Sequence, residues 1–311
     1  MVSVGRPVKQ PPTSLRSLHR REALFGYLFA APWLLGFFGL TLGPMLASLV
    51  LSFSDYTLVA PPHAVGWQNY NQLFRHDALF WTSIGNTLYY TVFTVPLSIV
   101  VSLLIALLLN QPVRGVRVFR TIFYLPAVTS SVAVVLLWGW LLNPNVGLVN
   151  RALHLIGLPG PGWFASETWS KPGLILLALW SIGQGMVIYL AGLQAVPQTL
   201  YEAAAIDGAG SLRRFRHITI PGISPTIFFN VILSIIASFQ VFTPAFVLTQ
   251  GGPLNSTLFY VLYMFQQGFQ YLHMGYATAM AWVLLAIVLV ITLVQFAFSG
   301  RWVYYEGEAR R

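Results

Sequence analysis

Charged residues are missing from five long intervals of this sequence, and their absence constrains the fold more than any other feature. Asp, Glu, Lys and Arg do not occur in residues 23–54, 78–113, 121–150, 172–201 and 218–300. Each interval can hold a helix of about 20 apolar residues that crosses a lipid bilayer. Charged residues make up 8% of the chain, against about 25% in soluble proteins, so the composition excludes a soluble enzyme.

Hydropathy divides the charge-free intervals into six predicted spans. They lie near 23–54, 86–110, 121–143, 173–195, 222–248 and 276–300. The last interval is split because residues 249–275 are too polar and too rich in glycine for hydrocarbon. We therefore predict an all-α polytopic membrane protein with six transmembrane helices over residues 23–300, and with connections too short for a separate folded domain.

The basic residues predict the orientation of the chain. Tails and loops on one side of the six spans hold 14 Lys and Arg, and those on the other side hold 3. Cytoplasmic segments carry the excess of basic residues. Both termini are therefore expected in the cytoplasm, with a basic N-terminal tail at 1–22 and a C-terminal tail at 301–311. Arg20 and Arg21 resemble the start of a signal peptide, but the following run is about twice the usual length and predicts an uncleaved span.

The residues that the spans lack exclude several kinds of site. No Asp, Glu, Lys, Arg or His falls inside a span, which argues against a proton-coupled transporter. Cysteine is absent, and neither a His-Glu-x-x-His nor a Gly-x-Ser-x-Gly motif occurs. His154 and His273 have no second metal ligand at a suitable spacing. A Walker A loop is missing too, since Lys9 and Lys171 are the only lysines. Energy for uphill transport would have to come from another polypeptide.

The loop between the fourth and fifth spans, residues 197–221, is the most informative part of the sequence. Thr199 and Glu202 fit a capping box that would start a helix over 200–207. Gly208 suits the left-handed residue that ends such a helix. A second turn over 211–217 would carry basic residues near its end, and Pro221 would open the fifth span. This pattern indicates a helical knob that passes a push into the membrane, or equally an ordinary basic loop that contacts anionic lipid.

Recognisable motifs favour the first interpretation. Glu202-Ala203-Ala204, Gly208 and Ile218-x-Ile220-Pro221 together resemble the EAA signature of binding-protein-dependent ABC importer permeases, with Ile220 in place of the usual leucine. Six further stretches resemble the carbohydrate branch of that family in the same order: 31–34, 66–70, 86–91, 120–126, 191–197 and 249–253. The chain lacks the large extracytoplasmic insertion of the maltose-type member.

The resemblance implies a fold, a function and partners. The fold is that of a type I ABC importer permease in a bacterial or archaeal cytoplasmic membrane, which is a transport subunit and not an enzyme. The expected partners are a second and different permease chain, two ATPase subunits that bind MgATP, an extracytoplasmic solute-binding protein, a di- or oligosaccharide and membrane lipid. No nucleic acid and no cofactor bound by this chain are expected. The residues implied in coupling to the ATPase are Glu202, Ala203, Ala204, Asp207, Gly208, Ala209, Phe215 and Pro221.

An uncharged sugar needs polar side chains and an aromatic surface, and we expect its site between spans four, five and six near the midplane. Asn230, Ser234 and Ser238 share one face of span five, but polar residues at this spacing also hold helices together. We favour helix contacts for Asn230 and Ser234. The candidate sugar-binding residues are Trp180, Gln184, Ser238, Gln240 and Phe242. Tyr189 also lies in span four, although it and Trp180 could simply pack or face lipid.

Two other functions fit the same sequence. The first is import of glycerol-3-phosphate or another polyol in the same architecture, which needs a cation that the spans of this chain do not supply. The second is a stand-alone facilitator, which would move its solute downhill without ATPase subunits. Arg114, Arg117 and Arg120 form one basic face that could contact lipid headgroups or fix the orientation of the chain.

Overall fold

The computed structural model describes residues 15–112 and 114–304 of the 311-residue chain. Most of the predicted N-terminal tail and the end of the predicted C-terminal tail lie outside the described residues. Within them, four helices are long and apolar enough to cross a membrane, and two bent helix pairs raise the number to six if each pair is one span.

The first span is a long apolar helix in three segments. It consists of α1 (Leu15–Gly36), a π-helical turn (Phe37–Leu42) and α2 (Gly43–Ser52). The most apolar stretch of 18 residues within Glu22–Ser52 is not buried inside the subunit. A short antiparallel hairpin of β1 (Ser54–Asp55) and β2 (His63–Ala64) follows.

The second span is the central helix of the molecule. After α3 (Gln68–Arg75), helix α4 runs from Ala78 to Leu109. It begins eight residues before the predicted start at 86, because the Asp77 side chain accepts a hydrogen bond from the Phe80 N–H and caps it there.

The predicted spans at 121–143 and 173–195 each consist of two helices joined at a bend. The first consists of α5 (Val116–Val128) and α6 (Ser131–Leu141), bent by 100°. Pro126 lies in the last turn of α5, and the backbone is extended at Thr129. After α7 (Leu148–Leu155), the second consists of α8 (Glu167–Trp180) and α9 (Gly183–Ala195), bent by 48°.

The remaining chain forms a run of shorter helices and one long one. α10 (Gln198–Ile206), α11 (Ser211–Arg214), a π-helical turn (Phe215–Thr219) and α12 (Ile220–Gly222) precede the fifth span. That span consists of α13 (Ser224–Phe239) and α14 (Thr243–Leu248). α15 (Tyr260–Phe265), a π-helical turn (Gln266–Gln270) and α16 (Met274–Ser299) complete the described chain.

Two apolar clusters hold the bundle around α4. One lies toward the end with the β-hairpin, which we call the hairpin end, and includes Phe80, Phe259, Tyr260 and Met280. The other lies toward the end with α10 and α11, which we call the knob end, and includes Ala106, Met186, Tyr189 and Ile223.

Close packing of α9 against α5 explains why residue 183, at the start of α9, is a glycine. A Cβ on Gly183 would stand 2.5 Å from the Phe123 carbonyl oxygen in α5. A bend in the span and a close backbone approach therefore coincide at this glycine.

Candidate functional site: a helical knob and a polar cavity

Helix α10 begins without the predicted capping box. The residue before its first turn is Pro197, no side chain caps it, and Thr199 already lies inside the helix. The Leu200 N–H donates to the Pro197 carbonyl at 3.2 Å. Proline has a fixed φ that suits a helix start and has no N–H to satisfy. The helix therefore starts two residues earlier than predicted, and Thr199 and Glu202 do not form the reciprocal pair.

The C-terminal end of α10 is a tight left-handed turn, as the sequence predicted. Gly208 has φ +73°. Its N–H donates to the Ala205 carbonyl at 3.1 Å, and the Ala209 N–H donates to the Ala204 carbonyl at 2.8 Å. These two bonds form a Schellman motif, which satisfies carbonyl groups that the helix would otherwise leave open. The turn reverses the chain direction between α10 and α11.

The tip of this knob is small and exposed. Glu202, Ala203, Asp207 and Gly208 are exposed, and Ala204 and Ala209 are partly buried. Large apolar side chains stand beside them, with Ile206 exposed by 88%, Leu212 by 78% and Leu200 by 48%. Leu200 and Leu212 are not part of the sequence motif that drew attention to this loop. An apolar surface at the knob end, with arginines nearby, is typical of a protein contact.

The knob is joined to the fifth span by nearly continuous helix. The predicted second turn at 211–217 is the start of a longer segment, because α11, the π-helical turn and α12 follow one another without a gap up to Gly222. The Tyr201 hydroxyl lies 3.0 Å from the Thr219 Oγ1 and links α10 to the π-helical turn. Phe215 and Pro221 are partly buried along this segment. Only Ile223 separates this segment from the start of α13 at Ser224.

A polar cavity of about 290 Å³ lies between α4, α9 and α13. Its polar lining consists of hydroxyl and amide groups, and none of the described residues around it carries a charge. The polar residues are Tyr90, Thr94, Ser98, Ser102, Ser181, Gln184, Tyr189, Asn230, Ser234 and Ser238. The cavity is formed by spans two, four and five, whereas the sequence indicated four, five and six.

Only two of the five predicted sugar-binding residues line this cavity. Gln184 and Ser238 line the cavity. Trp180, Gln240 and Phe242 are not among its lining residues. Trp180 is 48% exposed and packs edge to face on Trp138. Gln240 is exposed just beyond α13.

Phe242 belongs to an aromatic cluster outside the cavity. Its ring centroid lies 5.1 Å from those of Phe246 and Phe265. The break between α13 and α14 places Phe242 in a non-helical conformation with φ −137°. Phe242 therefore does not lie one regular helical turn from Ser238.

The hydrogen bonds of span five differ from the expectation that Asn230 and Ser234 contact other helices while Ser238 faces the sugar. The Ser238 hydroxyl donates to the Thr91 Oγ1 at 2.9 Å and so bridges α13 and α4. Asn230 donates its Nδ2 to the Thr226 carbonyl of its own helix at 3.0 Å. Both Asn230 and Ser234 line the cavity. Ser238 thus makes the interhelical bond that the sequence assigned to its neighbours.

Sequence analysis missed the contribution of α4 to the cavity. Ser98 and Ser102 are four residues apart and share a helical face, so their spacing was an available signal. The Tyr189 hydroxyl is buried and has no hydrogen-bond partner among the described residues. An unpaired buried hydroxyl costs about 1–3 kcal/mol, so a ligand that bonds to it recovers that free energy. The cavity suits an uncharged, hydroxyl-bearing molecule.

Among residues 15–112 and 114–304, no group of three His, Cys, Asp or Glu side chains could hold a metal ion. The lining of the polar cavity is chemically suited to a neutral polar solute.

At the hairpin end, α4 and α8 contact the loop between α14 and α15, which is far from both in sequence. Asn86 donates its Nδ2 to the Asn255 carbonyl at 2.7 Å and accepts a bond from the Lys171 Nζ at 2.8 Å. The Ser170 and Ser256 hydroxyls lie 2.9 Å apart. The loop between α14 and α15 is therefore held against α4 and α8.

Asp77 organises the same end of the bundle. Besides capping α4, its carboxylate accepts hydrogen bonds from the hydroxyls of Tyr263, at 2.6 Å, and Tyr276. Burial, and then the Asp77 carboxylate, raise the pKa of Tyr263 well above its usual value. Asp77 thereby ties α4 to α15 and α16.

Comparison with known proteins gives consistent matches over most of the chain. Residues 98–304 match the family of binding-protein-dependent transport system inner membrane components. The probable ABC transporter permease protein YesP of Bacillus subtilis is 42% identical over 93% of this chain and 94% of its own length. The arabinooligosaccharides transport system permease protein AraP of the same organism is 36% identical over 94% and 93%.

A solved structure has the same fold. It is a chain of a bacterial alginate ABC transporter in complex with an alginate pentasaccharide-bound periplasmic protein. The match has a TM-score of 0.81 and 27% identity, and it covers 92% of this chain and 97% of that chain.

Proposed function

This chain belongs to the binding-protein-dependent transport system inner membrane component family, and we propose that it is the sugar-transporting membrane subunit of an ATP-driven importer. The solute is of the di- or oligosaccharide class, as for the arabinooligosaccharide permease AraP and the alginate transporter. The observation that carries this proposal is the exposed knob, which is continuous with the helix that lines an uncharged polar cavity. The family consists of transport components, so the chain is a transport subunit and not an enzyme.

In the proposed topology each bent helix pair is one span, which gives six spans in the cytoplasmic membrane. The knob end then faces the cytoplasm, together with both termini. The asymmetry of 14 against 3 basic residues supports this orientation.

The proposed assembly contains this subunit, a second and different permease, two ATPase subunits that bind MgATP, and a solute-binding protein outside. The solved relative supports the last of these, because its complex contains a periplasmic protein with alginate pentasaccharide bound. The exposed apolar side chains of Ile206 and Leu212 support an ATPase as the partner of the knob. Coupling residues Glu202, Ala203 and Ala204 lie on the same short helix.

Coupling follows from the rigidity of the knob. Closure of the ATPase subunits around MgATP moves α10, and the Tyr201–Thr219 link and the continuous helix carry this movement into α13. The cavity wall moves with α13 and opens to the binding protein. ATP and the loaded binding protein must favour the same outward-facing state, since a ligand shifts an equilibrium only through its differential affinity.

The cavity chemistry discriminates between the candidate solutes. Sugar hydroxyls can pair with the hydroxyl and amide groups of Gln184, Tyr189 and Asn230. A phosphorylated polyol would bring negative charge beside a lining that has no cation among the described residues. Import of glycerol-3-phosphate is therefore not favoured, and a stand-alone facilitator would leave the knob without a role.

Reconstitution tests the proposal. The chain is purified from its native membrane in mild detergent with its bound partners, placed in liposomes, and assayed for uptake of labelled oligosaccharides. Uptake that requires ATP inside and binding protein outside is the expected result. Equilibration of the sugar by this chain alone, without ATP, would reject the importer in favour of the facilitator.

Replacing Tyr201 with phenylalanine is expected to uncouple ATP hydrolysis from transport. The change removes the bond to Thr219, and a bond of about 1 kcal/mol corresponds to an about fivefold change in an equilibrium. We expect sugar moved per ATP hydrolysed to fall several-fold. Thr219→Ser keeps the hydroxyl and should retain coupling, while Tyr271→Phe alters an exposed tyrosine as a control. An unchanged sugar-to-ATP ratio in Tyr201→Phe would contradict a coupling role for this link.

Replacing Tyr189 with phenylalanine separates a binding role from a packing role. Its buried hydroxyl has no hydrogen-bond partner within residues 15–112 and 114–304, so its removal should leave thermal stability equal or higher. If the hydroxyl bonds to sugar, the sugar concentration for half-maximal uptake rises by about fivefold or more. Uptake kinetics and a thermal unfolding curve on the same preparation measure both. Unaltered sugar dependence would remove Tyr189 from the site.

A further inference from the structure

An apolar groove on the outer surface of the bundle lies between α4 and α8. Its volume is about 680 Å³, and its lining includes Tyr89, Val92, Pro96 and Val100 from α4 and Pro172 and Leu176 from α8. Val92 is 61% exposed and Val100 is 52% exposed, so this subunit leaves the groove open. The groove is separate from the polar cavity, which lies on another face of α4.

The groove has the length of one lipid leaflet. Tyr89 and Val100 mark its ends on α4, and 11 residues of helix rise by about 16 Å. Half of the hydrocarbon core of a bilayer is about 15 Å. A single acyl chain that starts at the Tyr89 end would therefore lie in the groove along its whole length.

Lys171 stands at the Tyr89 end of the groove. Its Nζ lies 5.0 Å from the centroid of the Tyr89 ring and donates to the Asn86 Oδ1 at 2.8 Å. An ammonium group has three N–H donors, so the bond to Asn86 leaves others for a ligand. Trp163 lines the same end and packs on Trp169, and tryptophan favours the headgroup region of a membrane.

Glu167 completes a pair of opposite charges on α8. It is exposed and lies one helical turn before Lys171, so the two side chains share a face. Because Glu167 is the first residue of α8, it lies about 6 Å nearer the headgroup region than Lys171. From the groove outward, the order is an apolar surface, a cation and then an anion.

We propose that this groove binds phosphatidylethanolamine. The acyl chain occupies the groove, Lys171 bonds to the phosphate, and Glu167 bonds to the terminal ammonium group. An aminophospholipid presents the same three parts in the complementary order of chain, anion and cation. The proposal requires that α4 and α8 lie in a bilayer and does not depend on the solute transported.

The test measures lipid bound to the purified native complex in nanodiscs of phosphatidylcholine. Small fractions of phosphatidylethanolamine or phosphatidylglycerol are added, and native mass spectrometry counts the retained lipid. Phosphatidylethanolamine is expected to bind in preference to both others. Lys171→Gln should lower its occupancy by roughly tenfold, because charge-assisted hydrogen bonds are the stronger kind. Glu167→Gln should remove the preference over phosphatidylglycerol.

Matched variants distinguish the groove from general lipid contact. Val92→Trp fills the groove and should release the lipid, while Leu289→Trp enlarges an exposed position on α16 and should not. Arg151→Gln removes an exposed cation near the same end and should leave occupancy unchanged. Equal retention of all three lipids, a preference for phosphatidylglycerol, or a cross-link from Val92→Cys to the second permease in place of lipid would overturn the proposal.

Discussion

Replacing Gly208 with valine is expected to reduce ATP-dependent uptake to less than about a tenth, while the chain still inserts in the membrane. Gly208 has φ +73°, and a left-handed conformation costs a non-glycine residue about 1–2 kcal/mol, with more for a β-branched side chain. The Schellman motif at Ala204 and Ala205 would open, and the tip of the knob would lose the shape that meets the ATPase. Uptake per inserted chain is the measurement.

Two variants control this experiment. A Cβ at Gly208 has no atom within 4 Å, so the expected loss comes from the backbone and the partner contact, not from a clash inside the subunit. Gly210 is also exposed and uncrowded but has φ −65°, so Gly210→Val should transport far better than Gly208→Val. Gly208→Asn should retain partial uptake, because asparagine tolerates the left-handed region. Normal uptake by Gly208→Val would reject the knob as the coupling element.

Replacing Asp77 with alanine is expected to destabilise the hairpin end by about 3–7 kcal/mol. The change removes the cap of α4, which is worth about 1 kcal/mol. It also leaves the buried hydroxyls of Tyr263 and Tyr276 without their acceptor, at about 1–3 kcal/mol each. The midpoint of thermal unfolding in detergent should fall markedly.

Asp55 provides the matched control for this stability experiment. It is an exposed aspartate at the same end, and Asp55→Ala should change the midpoint little, since most surface substitutions fall within about 0.5 kcal/mol. Asp77→Asn keeps an acceptor oxygen and should lie between the other two. Equal midpoints for Asp77→Ala and Asp55→Ala would contradict the organising role of Asp77.

Local chemistry in the sequence was enough for the knob and for most helix positions. Gly208 predicted its left-handed turn, because glycine adopts that conformation without a steric penalty. The start of α10 was wrong, since Pro197 began the helix before the Thr199 side chain could cap it. Pro126 was visible in the sequence, yet hydropathy placed α5 and α6 in one span without indicating the bend between them. Hydropathy reports the composition of a span and carries no information on its direction.

The cavity depended on contacts that no local pattern encodes. Ser238 met Thr91, which is 147 residues away in sequence, and so became a bridge between helices. The break before Phe242 turned that ring away from the face that regular helical spacing gave it. Ser98 and Ser102 joined the cavity because α4 packs against both α9 and α13. Sequence spacing gives a residue its face on a helix, but the neighbour of that face is decided by packing.

By itself the sequence determined that the chain is a helical membrane protein and that it carries a knob whose first helix ends at Gly208. Both are local properties: apolar length decides partition into lipid, and glycine and proline decide where a turn can form. Tertiary structure alone decided which polar groups share the cavity, that Asp77 joins three helices, and that Lys171 and Glu167 stand beside an open groove. Those features depend on how helices far apart in the chain pack together, and packing selects among faces that the sequence leaves equivalent.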